Sequence, residues 1–254
     1  MKIADELRRR IQDGELGPGE KIPSERQICE QWEVSSITAR AAVSALRNEG
    51  LVESARGKGT FVRHKVPLVR IAPQRYFREQ HKPTYVLEAE RARRSVAAPR
   101  VTTEESASAG IAERLGIDPG DPVTRTSMTV SMDREIVSMS VTWEPMALTG
   151  GTDIVHPAEG PHAGKGLIDR FDIIGYQVDE VEEILDCRMP SQGEIRSLSI
   201  TGGVPVVAIR QTWRAGDRPV ATVDIVFPAD RYEFHYRMTI PTSSGAGPVA
   251  RVAN

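Results

Sequence analysis

The sequence predicts an α+β protein in two modules, a small N-terminal unit of three helices closed by a β-hairpin and a larger C-terminal unit with an antiparallel sheet. Three observations carry that prediction. Through the first 50 residues, apolar side chains recur at spacings of three and four, the helical period. Directly after Gly50 the pattern becomes strand-like around a glycine-rich tip. From Val123 onward, strand-like runs are separated by turns, with Pro119-Gly120-Asp121-Pro122 before the first and Gly216-Asp217 between the last two. A length of 254 residues also suits two domains, at roughly 150 residues each.

The first helix spans about residues 2 to 13, with Ile3, Leu7 and Ile11 on one side, and stops at Gly14 and Gly17-Pro18-Gly19. Ser24-Glu25-Arg26-Gln27 fits a capping box, so a second helix runs from Glu25 to about Trp32, with Pro23 and Ile28 as its staple. Only Glu33 and Val34 precede Ser35, a favoured N-cap residue, and a third helix then buries Ala39, Ala42, Val43 and Leu46 before ending at Gly50. Leu51-Val52-Glu53 and Thr60-Phe61-Val62 flank Arg56-Gly57-Lys58-Gly59 as a hairpin. This order of elements describes a winged helix-turn-helix over residues 1–65.

Residues 66–82, with Pro67, Pro73 and several arginines, are expected to be an irregular linker. The second module is placed at 83–241. Its expected elements are a helix at Thr103–Leu115 and strands at Val123–Val130 and Glu135–Trp143, the latter joined at Asp133. A loop at Thr149–Gly166 then precedes a short helix at Leu167–Phe171. Further strands are expected at Tyr176–Leu185, Val204–Ala215 and Arg218–Phe227, with a helix at Ser191–Ile200 between the first two. Residues 242–254, rich in Gly, Ser and Ala, form an expected disordered tail.

Charge is unevenly distributed. The net formal charge is -2, which alone argues against a polyanionic partner. Residues 1–65 hold 12 basic against 10 acidic side chains, residues 66–100 hold 8 against 3, and the remainder 13 against 22. The basic excess is therefore N-terminal. The longest apolar run, Val204 to Ile209, falls far short of the roughly 20 residues a membrane span needs, so a soluble, intracellular chain is expected. Cys29 and Cys187 fit neither a metal knuckle nor a redox pair and are expected to be free thiols.

The third helix has the chemistry of a major-groove reader. At 100° per residue, Ile37, Ala41 and Ser44 lie opposite the buried stripe, with Thr38 and Arg40 beside them. Apolar Ile37 and Ala41 suit thymine methyls, and the Arg40 fork suits guanine O6 and N7. Ser35 and Ser36 stand at the helix start, where hydroxyls and backbone N–H groups meet phosphate. Arg26 faces the DNA backbone or a base edge, while Arg56 and Lys58 extend from a wing whose Gly57 and Gly59 permit close approach, with Thr60 following. The residues alone leave a second option, since winged helices also serve as protein-binding modules.

Residues 3–63 closely resemble the DNA-binding domain of GntR-family bacterial transcription regulators. The resemblance rests on Pro23-Ser24-Glu25-Arg26, Val34-Ser35-x-x-Thr38-x-Arg40, Leu46-x-x-Glu49-Gly50-Leu51-Val52 and Gly57-x-Gly59-Thr60-Phe61-Val62. It implies DNA contacts from Arg26, Ser35, Ser36, Thr38, Arg40 and residues 57–60. Ser36 stands where the family commonly has Arg, which implies an altered operator.

Residues 83–240 resemble the UTRA effector-binding domain of the HutC subgroup, a chorismate-lyase-like fold. The motifs are Ala112-x-x-Leu115-Gly116, Gly120-x-x-Val123-x-Arg125, the Asp133 turn, Trp143-x-Pro145, Pro205 to Arg210, and Pro219-Val220 through Asp230-Arg231-Tyr232-x-Phe234. The resemblance implies a homodimer that binds a small molecule and double-stranded DNA. Met128 and Val130 replace arginines that anion-binding relatives use, Ala221 replaces a common Glu, and Asp224 replaces a common Arg. The expected effector is therefore not a sugar phosphate, in a pocket including Met128, Val130, Trp143, Arg210 and Asp224.

Other constellations fail. Gly160 to Lys165 is one residue short of a P-loop and lacks the following Ser or Thr. Asp153, His156 and His162 lack the spacing of a metal site, and no cofactor motif is present. The expected function is a homodimeric repressor of a palindromic operator, released by a small molecule. The alternatives are a repressor without a metabolite effector and, further off, a lyase-like enzyme for which no catalytic group can be named.

Overall fold

The computed structural model describes residues 2–55, 57–63, 67–72 and 82–238. The N-terminal module follows the sequence pattern closely because its elements are local. Helix α1 spans Lys2–Gln12, α2 Glu25–Trp32 and α3 Ser36–Asn48, and strands β1 (Val52–Ala55) and β2 (Gly59–Val62) form the wing. Both arms of the capping box are present: the Ser24 hydroxyl accepts from the Gln27 backbone at 3.3 Å, and Gln27 accepts from the Ser24 N–H at 2.9 Å. Glu33 ends α2 in the left-handed region, so the chain turns at once into the Ser35 cap of α3. Leu7, Ile22, Ile28, Ala39, Leu46 and Val52 form the shared core.

In the C-terminal module come β3 (Leu68–Ala72), α4 (Thr84–Ala92), β4 (Val96–Ala97), β5 (Arg100–Ser106) and α5 (Ala109–Leu115). Next are β6 (Pro122–Met132), β7 (Glu135–Pro145), α6 (Met146–Thr149) and α7 (Leu167–Ile173). The last elements are β8 (Glu180–Arg188), α8 (Gln192–Leu198), β9 (Val206–Ala215), β10 (Arg218–Pro228) and β11 (Tyr232–Tyr236). The main sheet is antiparallel in the order β4-β6-β7-β10-β9-β8, with β5 also paired to β6. Asp133 and Arg134 both have positive φ in the two-residue turn between β6 and β7, a strained pair for side-chain-bearing residues. The Asp133 carboxylate holds the turn by accepting from the backbone and hydroxyl of Ser95 and from Arg94.

Three expectations fail here. Thr103–Ser106 is strand, not helix: β-branched Val101, Thr102 and Thr103 pair with β6, and the helix begins only after Ser108. The expected linker contains β3, which pairs in parallel with β11, bringing Leu68 beside Tyr232. Arg70 occupies a buried position of that strand and so disguises its alternation. Tyr176–Asp179 precedes strand β8, which starts at Glu180. The expected tail at 242–254 lies outside the described residues.

The modules touch through backbone. A Cβ at Gly203 would lie 1.8 Å from the Asn48 carbonyl oxygen, so only glycine allows the loop before β9 to reach the end of α3. Beside it, Arg63 at the base of the wing donates to Asp230 of the C-terminal module.

Candidate nucleic-acid interface and ligand cavity

The outer face of α3 is built as its periodicity requires. Ala39, Ala42, Val43 and Leu46 are buried, and Ile37 is 79% exposed, an unusual position for a large aliphatic side chain on a solvated helix. Thr38, Arg40 and Ala41 are exposed beside it, while Ser44 is half-buried at the edge. The Ser35 hydroxyl caps α3 by accepting from the Thr38 N–H at 3.3 Å and lies 3.0 Å from the Thr38 hydroxyl. These two hydroxyls thus fix the helix start, and Ser36 occupies its first turn, exposed.

The cations of this face hold surface carboxylates. Arg26 pairs with Glu30 at 2.8 Å and Arg40 with Glu25 at 3.4 Å, with the arginine side chains 88% and 71% exposed. Such pairs are worth about 0 to 1 kcal/mol, so a phosphate or guanine can replace the carboxylate at little cost. Arg47 donates to the Ser54 hydroxyl at 2.8 Å, and Ser54 lies 3.2 Å from the Thr60 hydroxyl, which ties α3 to the wing. Lys58 and Gly57 are exposed at the tip. Arg56 lies outside the described residues.

Lys21 joins this face although the sequence pattern did not single it out. Its side chain crosses Gly59, where a Cβ would meet the Lys21 Cε at 2.4 Å, and Lys21 bridges to Phe61 of the wing. The signal was present in Gly59, whose φ of +122° and open flank are what the crossing needs.

On the C-terminal sheet, one face carries a cavity of about 210 Å³ beneath α4, α7 and the segment at Pro157 and Lys165. Met128 and Val130 line it, with Thr126, Ser138, Ser140, Thr142, Val223, Ile225 and Phe227 from neighbouring strands. Its buried charges are matched. Arg170 forms a two-pronged pair with Glu144, both contacts at 2.8 Å, and Arg70 pairs with Glu88 at 2.9 Å. Glu88 also accepts from the Tyr232 hydroxyl, and burial together with the Glu88 charge holds the Tyr232 pKa well above the usual phenol value. Arg100 is different: it is half-buried and donates to the Tyr85 hydroxyl at 3.0 Å, to the Pro157 carbonyl and toward the Met128 sulfur, with no carboxylate partner among the described residues.

Trp143, Arg210 and Asp224 do not line this cavity. Sheet parity is the reason. Thr142 and Val223 are register partners facing the cavity, so Trp143 and Asp224, one residue on in each strand, face away, and Arg210 lies opposite Asp224 on that outer side. There Trp143 donates to Glu105 at 2.8 Å and packs with α5, while Asp224 accepts from Arg114 at 2.6 Å. Among the described residues no three His, Cys, Asp or Glu side chains gather as a metal site, and no helix is long and apolar enough to cross a membrane.

Comparison with known proteins fits this geometry. Residues 1–62 match the bacterial regulatory proteins of the gntR family, and residues 100–233 match the UTRA domain. An uncharacterised HTH-type transcriptional regulator of Streptomyces coelicolor is 32% identical over 252 residues, covering 96% of this chain and 93% of that one. The chain belongs to the GntR family.

A crystal structure of another GntR-family transcriptional regulator is 35% identical and superimposes with a TM-score of 0.66, covering 94% of this chain and 97% of that one. The HTH-type transcriptional repressor NagR of Bacillus subtilis is 46% identical, over 61 residues only, 24% of this chain and 25% of NagR. This GntR-family chain is thus a transcription regulator with a DNA-binding helix-turn-helix and a UTRA domain. Its relatives are regulators and not enzymes, which removes the lyase-like alternative.

Proposed function

We propose that this regulator is a homodimeric repressor that binds a palindromic operator in the bacterial cytoplasm, at the nucleoid, and is released by a small molecule entering the UTRA cavity. The observation that carries the DNA contact is the exposed Ile37, set between the capped start of α3 and the displaceable cations Arg26 and Arg40. Phosphate contacts come from Ser35, Ser36 and the wing with Lys21 and Lys58, and base contacts from Ile37, Thr38 and Arg40. Two-fold pairing uses the outer face of the sheet. Exposed Val101 and Ile184 and half-buried Val141 and Val226 leave an apolar surface there, beside α5, that the described elements do not fully bury.

The effector is not a sugar phosphate. In the cavity Arg70 and Arg170 are engaged by the buried Glu88 and Glu144, which leaves, among the described residues, the half-buried Arg100, with Lys165 and the Glu90-paired Lys82 exposed to solvent, beside a wall of hydroxyls and apolar side chains. That setting suits a ligand with an apolar body and a single carboxylate more than a dianionic phosphate. The decisive experiment is a gel shift on DNA flanking the protein's own gene. A specific, salt-sensitive complex at one dimer per palindrome supports the reading, and its absence overturns it. A thermal-shift screen in which phosphosugars stabilise the protein and carboxylates do not would overturn the effector class.

A further inference from the structure

We propose that the run Asp230-Arg231-Tyr232 couples the ligand cavity to the DNA-binding module, each of its side chains holding a different part of the molecule. The inference rests on the regulator reading above and names the residues through which regulation passes. At one end, the Tyr232 hydroxyl donates to Glu88 at 3.1 Å, and Glu88 holds Arg70 in the cavity wall. The Tyr232 ring also meets Phe227, another wall residue, edge-on at 4.7 Å, and the Arg70 guanidinium lies 5.0 Å above the Phe227 ring. A ligand that presses on Phe227, or on the Arg70 stacked over it, therefore acts on Tyr232.

At the other end, two peptide bonds away, the Asp230 carboxylate accepts from Arg63, the last described residue of the wing. Arg231 pins the run between them by donating to the carbonyls of Ile136 and Leu198 and pairing with Glu135 at 3.2 Å. Its own carbonyl accepts from the Leu68 N–H at 2.8 Å, so the chain leading out of the wing is tied to the same run. Glu88 and Asp230 share a second cavity, of about 570 Å³, which gives this junction room to shift. The other carboxylate oxygen of Asp230 is buried, makes no hydrogen bond and lies 4.0 Å from Arg231 Nε, so the carboxylate stands between Arg63 and Arg231. An element with two arrangements that both sites can bias is what coupling requires.

The test uses the full-length protein without ligand, and the hydrogen exchange is measured without DNA. Hydrogen exchange of wing amides 59–63 and operator affinity are measured for Tyr232→Phe, Asp230→Asn and the double variant. Each single change is expected to alter both readouts by about 2- to 30-fold, the range seen for mutations along coupled networks. The double variant should change them no more than the larger single change, because both cut one chain. Wing exchange unchanged by Tyr232→Phe, or additive effects in the double variant, would overturn the proposal. So would an exchange increase spread evenly over the C-terminal sheet, since that is mere loss of stability. If Asp230→Asn does not fold, Arg63→Gln replaces it from the other side of the contact. Failure to bind any operator would count against the functional reading alone, because wing exchange still reports the coupling.

Discussion

The exposed surface of α2 and α3 and the UTRA cavity both carry arginines paired with carboxylates, yet the two sets of pairs behave in opposite ways. Arg26 and Arg40 meet Glu30 and Glu25 in water, whereas the side chains of Arg170 and Glu144 are 4% and 2% exposed. A surface carboxylate is a placeholder that DNA phosphate can displace. A buried partner is part of the structure, because its loss leaves a charge in a medium that cannot solvate it. On the function proposed above, specificity at the DNA is assembled on exchangeable contacts, and the ligand is read by what the buried pairs leave over.

The sharpest way to break this contrast is to cut one pair of each kind. Arg170→Ala should destabilise the fold by about 3 to 5 kcal/mol, because Glu144 is left buried and unpaired. Chemical denaturation measures this, and a loss below 1 kcal/mol would mean that the cavity floor is wetter than its burial implies. Arg40→Ala should leave stability unchanged and cost about 1 to 3 kcal/mol in operator affinity, with relaxed preference at one base position. An equal loss on every sequence would assign Arg40 to phosphate. Lys21→Ala should weaken all sequences alike and lower the slope of log affinity against log salt by about 1. Glu30→Gln, which frees Arg26, should shift stability by no more than about 0.5 kcal/mol while leaving DNA binding intact or tighter.

A pH series extends the comparison to an intermediate case. The Arg188 guanidinium beside Glu194, helped by the Ser191 cap of α8, lowers the Glu194 pKa from 4.5 to about 2. A depressed folded-state value means that this contribution is complete above about pH 4.5 and is lost as pH falls towards 2. Acid unfolding of Glu194→Gln should therefore lack that component, and identical acid profiles for variant and parent would show that the pair adds nothing.

The N-terminal module was legible because capping boxes, N-caps and helical stripes depend on residues three and four apart. Ser24, Ser35 and the Ala39 to Leu46 stripe stand as the sequence predicts. The cavity was only half legible. Met128 and Val130 line it, but assigning Trp143, Arg210 and Asp224 required knowing how strands align, and a shift of one residue exchanges the two faces of a sheet. β11 was missed and Arg100 was not recognised as a cavity cation, because their settings depend on pairing with distant segments, Tyr232 with Leu68 and Arg100 with Met128. The family resemblance implies that Met128 and Val130 of β6 stand where anion-binding relatives have arginines. Only the register shows that β5 places Arg100 directly opposite Met128.

The pairing of β3 with β11 also bears on how the chain is made. The DNA-binding module ends by residue 63, but the strand that follows it has its partner at residues 232–236, far along the chain. Domains fold as units, N-terminal first during synthesis. Until β11 is made, then, β3 has no strand partner, and a chain interrupted before Tyr232 would keep the DNA-binding module without that tether. On the function proposed above, such fragments would lack the tie between reader and ligand cavity, which makes formation of the β3–β11 pair the step that turns a DNA-binding module into a regulated one.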